Sequence, residues 1–418
     1  MKMSRREFIV RGSALFATLG LGGPLLFSPS GEAQVQDESK EGGGGTAEST
    51  VLVVIQLSGG NDGINTLIPY GQGVYYDSRS TLALKESEVL HLDGKSGLHP
   101  SLQGLHRMYE AGKLAIVQGV GYPNPDRSHF RSMDIWQTAE PDKFIKEGWL
   151  GRYVESSLGG NRNPLKAIQI GNIANKAFES ATVNAPVIQS IESYQLLLDP
   201  KAPKIEFNRL AQSFLDMYDP KRQGVHLQVA CRRGAEAYES VVAIQELASA
   251  YKHKVEYPKT AIAKDLKVAA QLLAGGSGTR VFYTQLGGFD DHADEKEQHA
   301  KLLQELDEAV TAFYSDLEEQ GLAGKVVTLA FSEFGRRVKE NGSGGTDHGT
   351  AGPVFVMGGG VKGGMYGVYP SLERLDAHGD LKHEVDFRSV YYTLVDRWLQ
   401  GDAKSTLGKS YETLGFLA

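Results

Sequence analysis

The sequence predicts an α/β domain: a mostly parallel sheet sandwiched by helices, with a helical insertion in mid-chain. Three observations carry this. Short apolar runs rich in β-branched residues, such as 51–57 (VLVVIQL) and 325–331 (KVVTLAF), read as strands buried on both faces. Longer segments between them repeat apolar residues at three- and four-residue spacing, as amphipathic helices do. The two patterns alternate, which is how parallel βαβ units are built.

The chain has 418 residues, 41% hydrophobic and 23% charged, so a sizeable core can be buried by an ordinary globular composition. Net charge is −7 and no block of Lys or Arg occurs beyond the N-terminus, which excludes nucleic acid as the main partner. The start reads as an address. Ser4-Arg5-Arg6-Glu7-Phe8 is a twin-arginine pattern, and an apolar run over 12–27 and small residues up to Ala33 follow it. Residues 1–33 are expected to be a Tat signal, making the Tat export machinery a partner and the location periplasmic or extracellular. That run is glycine-rich and shorter than the roughly 18–20 apolar residues a spanning helix needs, so no stable membrane span is expected after processing. Tat substrates are exported folded, often with a metal or cofactor in place. Cys231 is the lone cysteine, so there is no internal disulfide and any metal is held by oxygen and nitrogen. Residues 34–50, with four consecutive glycines, read as a flexible linker to a domain over 51–418.

In order, the strand at 51–57 stops at Ser58-Gly59-Gly60 and releases Asn61-Asp62. Residues 70–97 have no clean period and are expected to wrap the surface. A helix over 101–112 precedes a strand at 113–119, and that βαβ unit brings Arg127, Ser128 and His129 toward Asp62. A short strand at 167–171 precedes the insertion, about 172–278, where helical spacing alternates with prolines. Strands return at 279–286 and 325–331, separated by a long helix carrying Leu302, Leu303, Leu306, Val310, Phe313 and Leu317 on one stripe. They release Phe289-Asp290-Asp291-His292 and Ser332-Glu333-Phe334-Gly335-Arg336. A glycine-rich loop then carries Asp347 and His348 before a strand at 353–357. The segment 386–399 is amphipathic.

Polar clusters after strands are often helix N-caps or turns. Their repetition at one carboxyl edge, where open α/β sheets bind ligands, points to a shared site. Crowded carboxylates need a cation, and the histidines among them suit Zn, Mn or Fe better than Ca.

The segments GGNDGINTLIPY, RSHF, GGFDDH, SEFGR, TDHG and GGGVKGGMYG, in this order, resemble the exported DUF1501 proteins, a family grouped by fold with the alkaline phosphatase and sulfatase superfamily. The resemblance implies an alkaline-phosphatase-like sheet and a divalent metal, Zn or Mn first and Ca or Fe as alternatives. It implies Asp62, Asp290, His292, Asp347 and His348 as metal ligands, with Glu333 replacing one. Ser128 stands where the nucleophile is expected, and Arg127 or Arg336 could pair with a phosphate or sulfate. The implied activity is metal-dependent hydrolysis of a phosphate or sulfate ester, on a small molecule or polymer. Two alternatives stay open: an exported binding or assembly protein that kept the fold, and a single-metal redox site on Asp290, His292 and Glu333.

Overall fold

The computed structural model describes residues 50–159, 164–183, 185–191, 251 and 253–417, together with 213, 216, 237 and 240–247. The expected export signal, nearly all of the linker and nearly half of the central insertion lie outside the described residues.

The apolar runs become the strands of one mixed, mostly parallel sheet. In chain order they are β1 (Val51–Ser58), β2 (Leu114–Gly121), β3 (Ala167–Ile170), β4 (Val187–Ile188), β5 (Val281–Gly287), β6 (Val326–Ser332), β7 (Gly352–Gly358), β8 (Gly364–Tyr366) and β9 (Val385–Asp386). The spatial order is β8-β2-β7-β6-β1-β5-β3-β4, with β9 pairing β2. Strand β1 runs parallel to both neighbours, and its register sets Leu57 beside Ser332 and Ser58 beside Gly287.

Side chains of β1 alternate between two cores, as a pleated strand requires. Val51, Val53, Ile55 and Leu57 face α1 (Gln103–Glu110), α4 (Ala261–Ala274) and α5 (Glu295–Glu319). Leu52 and Val54 face α2 (His129–Thr138), α3 (Trp149–Leu158) and α6 (Phe387–Thr393). The expected stripe of α5 is buried throughout, and each such side chain contributes roughly 1.5–3 kcal/mol. Asp307 of α5 accepts from the backbone N–H groups of Gly104 (2.8 Å) and Leu105 (2.7 Å), and so satisfies donors that α1 leaves open at its start.

Three details depart from the expected layout. Within the stretch read as a helical insertion, β4 joins the main sheet beside β3 and α4 packs on α5, so its described parts belong to the layers. The stretch 70–97 does more than wrap the surface, since it includes a short helix, Gly73–Ser78, and the fully buried Arg79. The C-terminal amphipathic segment is α6 followed by a π-helical turn, Leu394–Trp398.

Direction decides what reaches the working edge. Strands β1, β5 and β6 end there and release Gly59, Phe289-Asp290 and Glu333 side by side. Strand β7 is antiparallel to β6, so it begins at that edge, and the loop before it is delivered there from the other direction.

Candidate metal centre

The edge is drawn tight by Gly59 and Gly60, whose φ values of 120° and 77° favour glycine. A Cβ on Gly59 would lie 2.5 Å from the Asp290 backbone nitrogen. Over this turn converge His129 from the start of α2, Asp290 from the end of β5 and His348 from the loop before β7. One ligand atom from each lies within 4.8 Å of the others.

Hydrogen bonds on the far side of the rings set which nitrogens face inward. His348 Nδ1 donates to the Arg127 carbonyl at 2.8 Å. His129 Nδ1 donates to Glu333 Oε1 at 2.9 Å. Each ring in its neutral form then presents a bare Nε2 inward, and that of His129 is buried without a hydrogen-bond partner. The Phe334 ring packs against both imidazoles at 4.9 Å and fixes their planes. Asp290 Oδ1 lies 3.0 Å from His348 Nε2 and 3.4 Å from His129 Nε2. His292 Nε2 joins at 2.9 Å from the same oxygen and 3.0 Å from His348 Nε2.

Bare acceptors this close repel unless protons or a cation sit among them. A tetrahedral site with metal–nitrogen bonds of about 2.0–2.1 Å has edges of about 3.3 Å, and these separations match. The donor set of His129, Asp290 and His348 therefore fits a divalent cation, and two imidazoles with one carboxylate suit Zn, Mn or Fe better than Ca. Side chains of His129, Asp290 and His348 are 31%, 49% and 23% exposed, so solvent reaches the cluster. Burial pushes the Asp290 carboxyl up, but the hydrogen bond and positive charge of Arg336 outweigh it and hold it well below the usual carboxylate range. His129 is raised, chiefly by its hydrogen bond to Glu333.

The other expected site residues take different places. Asp347 sits at the rim, its Oδ1 3.3 Å from His292 Nδ1. Glu333, expected as a ligand, stands behind His129 and is turned away from the convergence point. Asp62 points into the interior, where both of its oxygens are bound by Arg79 and Oδ1 also accepts from Ile64 N at 3.3 Å, capping the short helix Gly63–Thr66. Burial raises the Asp62 carboxyl, yet the Arg79 charge and hydrogen bonds hold it well below its ordinary value.

Arg336 is buried, and its guanidinium donates to the carbonyls of Gly60 (2.6 Å), Thr346 (2.8 Å), Phe289 (2.8 Å) and Gly59 and to Asp290 Oδ1 (2.8 Å). It ties the loops of the site together and has no fork to spare for a substrate anion. Arg127 is held by Asp380 and by Asp376 at 3.0 Å. Ser128 is exposed at the N-cap of α2, where its hydroxyl makes no capping bond.

Two residues of consequence have roles that the sequence does not assign. His129 is expected near Asp62 with Arg127 and Ser128, but as a neighbour of the nucleophile candidate rather than as a ligand. Arg79 lies in a stretch without periodicity and gives no signal at all.

Residues 118–405 match the family described as "Protein of unknown function (DUF1501)". The chain belongs to the DUF1501 family. No curated protein matches it. Among solved structures, this DUF1501 chain is similar to a protein in the alkaline phosphatase superfamily from Vibrio parahaemolyticus, at 8% identity and TM-score 0.37, covering 98% of this chain and 78% of that one. It is also similar to Ps i-CgsB (9% identity, TM-score 0.36, 87% and 73% covered) and to BT1596, a 2-O GAG sulfatase (9%, TM-score 0.33, 88% and 76%). Scores this low carry no argument about the site. Among the described residues, no helix is long and apolar enough to cross a membrane.

Proposed function

We propose that this DUF1501 protein is an exported, metal-dependent hydrolase acting on a phosphate or sulfate ester, with its cation held by His129, Asp290 and His348. One observation carries the reading: two imidazole nitrogens, each bare in the neutral tautomer its outer hydrogen bond selects, converge with a carboxylate at a solvent-reachable sheet edge. When bound there, a divalent cation supplies Lewis-acid chemistry, polarising an ester oxygen and acidifying water. The chain's own residues do the rest. Glu333 and the Arg127 carbonyl hold the two imidazoles in place, and Arg336 keeps Asp290 ionised. His292, half-exposed and backed by Asp347, faces the same point from the solvent side. A cavity of about 270 Å³ bordered by Tyr122, Glu333, Phe334, Asp376 and Lys382 adjoins the partners of His129 and Arg127, and offers room for the organic part of a substrate.

Because Arg127 and Arg336 are committed elsewhere, the charge of an anionic ester would be met by the cation itself. The test is a panel of aryl phosphate and sulfate esters assayed on metal-loaded protein. Turnover is expected in the wild type and lost in Asp290→Asn. Loss in Ser128→Ala would make that hydroxyl the nucleophile, whereas survival would leave the attack to water. No turnover by protein that demonstrably holds its metal would overturn the hydrolase reading.

A second reading has its own support. His292 Nε2 stands 2.9 Å from Asp290 Oδ1 and 3.0 Å from His348 Nε2, so a fourth donor is beside the trio, and closed four-ligand sets are typical of structural metal sites. On that reading the protein binds or assembles and the metal braces three loops.

A further inference from the structure

We infer that Glu333 is the positioning residue of this centre: its carboxylate holds His129 in the tautomer and ring orientation that turn Nε2 toward Asp290 and His348. The inference rests on the metal-centred reading above and concerns the chain's own side chains. Glu333 is 2% exposed, a burial that a carboxylate tolerates only when its lone pairs are satisfied. Those of Oε1 are: it accepts from His129 Nδ1 and from Gly59 N, both at 2.9 Å, while Oε2 lies 3.2 Å from the Ser332 hydroxyl, which donates to the Leu57 carbonyl at 2.7 Å. To serve as a ligand, Oε1 would have to abandon two donors, one of them the backbone N–H of a glycine that no other residue can replace without meeting Asp290. The backbone is pinned as well, since the Glu333 carbonyl accepts from the Ser132 hydroxyl at 2.6 Å.

The arrangement is asymmetric. A neutral backbone carbonyl orients His348, while a charged, rigid carboxylate orients His129. Outer partners of that kind fix the tautomer and raise the basicity of the inward nitrogen. The turn after strand β1 thereby contributes to the site through the Gly59 N–H, which Glu333 just past the end of β6 accepts, although the acidic residue of that turn, Asp62, faces elsewhere.

The experiment uses Glu333→Gln, which keeps the shape and removes the charge, with two readouts. The first is ring ¹⁵N NMR of His129 in metal-free protein at alkaline pH, where the imidazole is neutral. The second is Co²⁺ affinity, read from its visible spectrum. In the wild type His129 is expected to carry its proton on Nδ1. In E333Q that preference is expected to weaken and Co²⁺ to bind about 10–100-fold less tightly.

A wild-type proton on Nε2, or an E333Q protein with unchanged tautomer and affinity, would overturn the inference. So would a Co²⁺ spectrum showing that E333Q has lost a direct ligand. If wild-type protein takes no Co²⁺ at all, the metal-centred reading fails, while the tautomer measurement still decides the role of Glu333. Should E333Q not fold, Glu333→Asp keeps the charge but draws it back from His129. Weaker Co²⁺ binding is expected there too, and wild-type affinity would overturn the inference.

Discussion

Replacing Asp62 by Asn separates what the interior needs from what the metal centre needs. In the native protein Arg79 is fully buried, and Asp62 is the carboxylate that binds both of its terminal nitrogens. With the charge removed, the guanidinium keeps its carbonyl contacts, Val338 O at 3.0 Å and Arg337 O at 2.8 Å, but loses its counter-ion. Breaking one side of a buried pair costs about 3–5 kcal/mol, a large share of the roughly 5–15 kcal/mol by which domains are stable.

Glu295 tempers the loss. Burial, with the Asp62 charge second, holds its carboxyl well above the usual range, and removing Asp62 lets it ionise and partly serve Arg79. The expected cost therefore lies toward 3 kcal/mol, the lower end for one-sided loss of a buried pair. Urea unfolding of D62N, R79M and the double variant measures it, and the double should cost less than the two singles summed. Metal content of folded D62N should equal that of the wild type. Unchanged stability together with loss of metal would refute this placement of Asp62.

Other outcomes follow from the same geometry. Gly59→Ala puts a Cβ 2.5 Å from the Asp290 nitrogen at a φ of 120°, so both stability and metal affinity should fall, as thermal melts and Co²⁺ titration would show. Burial pushes the imidazoles of His299 and His99 down, to about 4 and about 3 from 6.5, so the unfolded chain binds protons that the folded one refuses. Stability is therefore full above pH 6.5 and falls as pH drops toward 4 and then 3, with a slope of about 1.4 kcal/mol per pH unit for each group. His299→Gln should flatten that acid limb in pH-dependent urea unfolding. Leu303→Ala, at a wholly buried position between α5 and the sheet, should cost about 2–5 kcal/mol by the same assay without altering Co²⁺ affinity.

Apolar runs with β-branched residues mark β1, β2, β5 and β6 in the sequence because burial on both faces leaves no polar alternation to confuse. The stripe of α5 is legible for the matching reason. The direction of β7 is not legible, since one strand of seven residues reads the same either way, and only its pairing places the His348 loop at the site. Asp290, His292 and His348 could be marked as a cluster because each follows a glycine-rich break near a strand.

The roles within the cluster could not be read. Spacing alone cannot separate a carboxylate that touches a metal from one that touches the histidine, which is the case of Glu333. An acidic residue after a strand looks the same whether it faces the edge or turns inward to meet Arg79. Arg336 illustrates the converse. A lone arginine in a loop suggests a surface pair or an anion clamp, yet here it is buried and spends its donors on four carbonyls and Asp290.

The central claim is that a cation is held by His129, Asp290 and His348. Metal analysis of the wild type, Asp290→Asn and Asp62→Asn, purified side by side from the native compartment, tests it most directly. The account predicts bound Zn, Mn or Fe in the wild type, its loss in D290N and its retention in folded D62N. Wild-type protein with no bound metal and a melting temperature indifferent to chelator would contradict it.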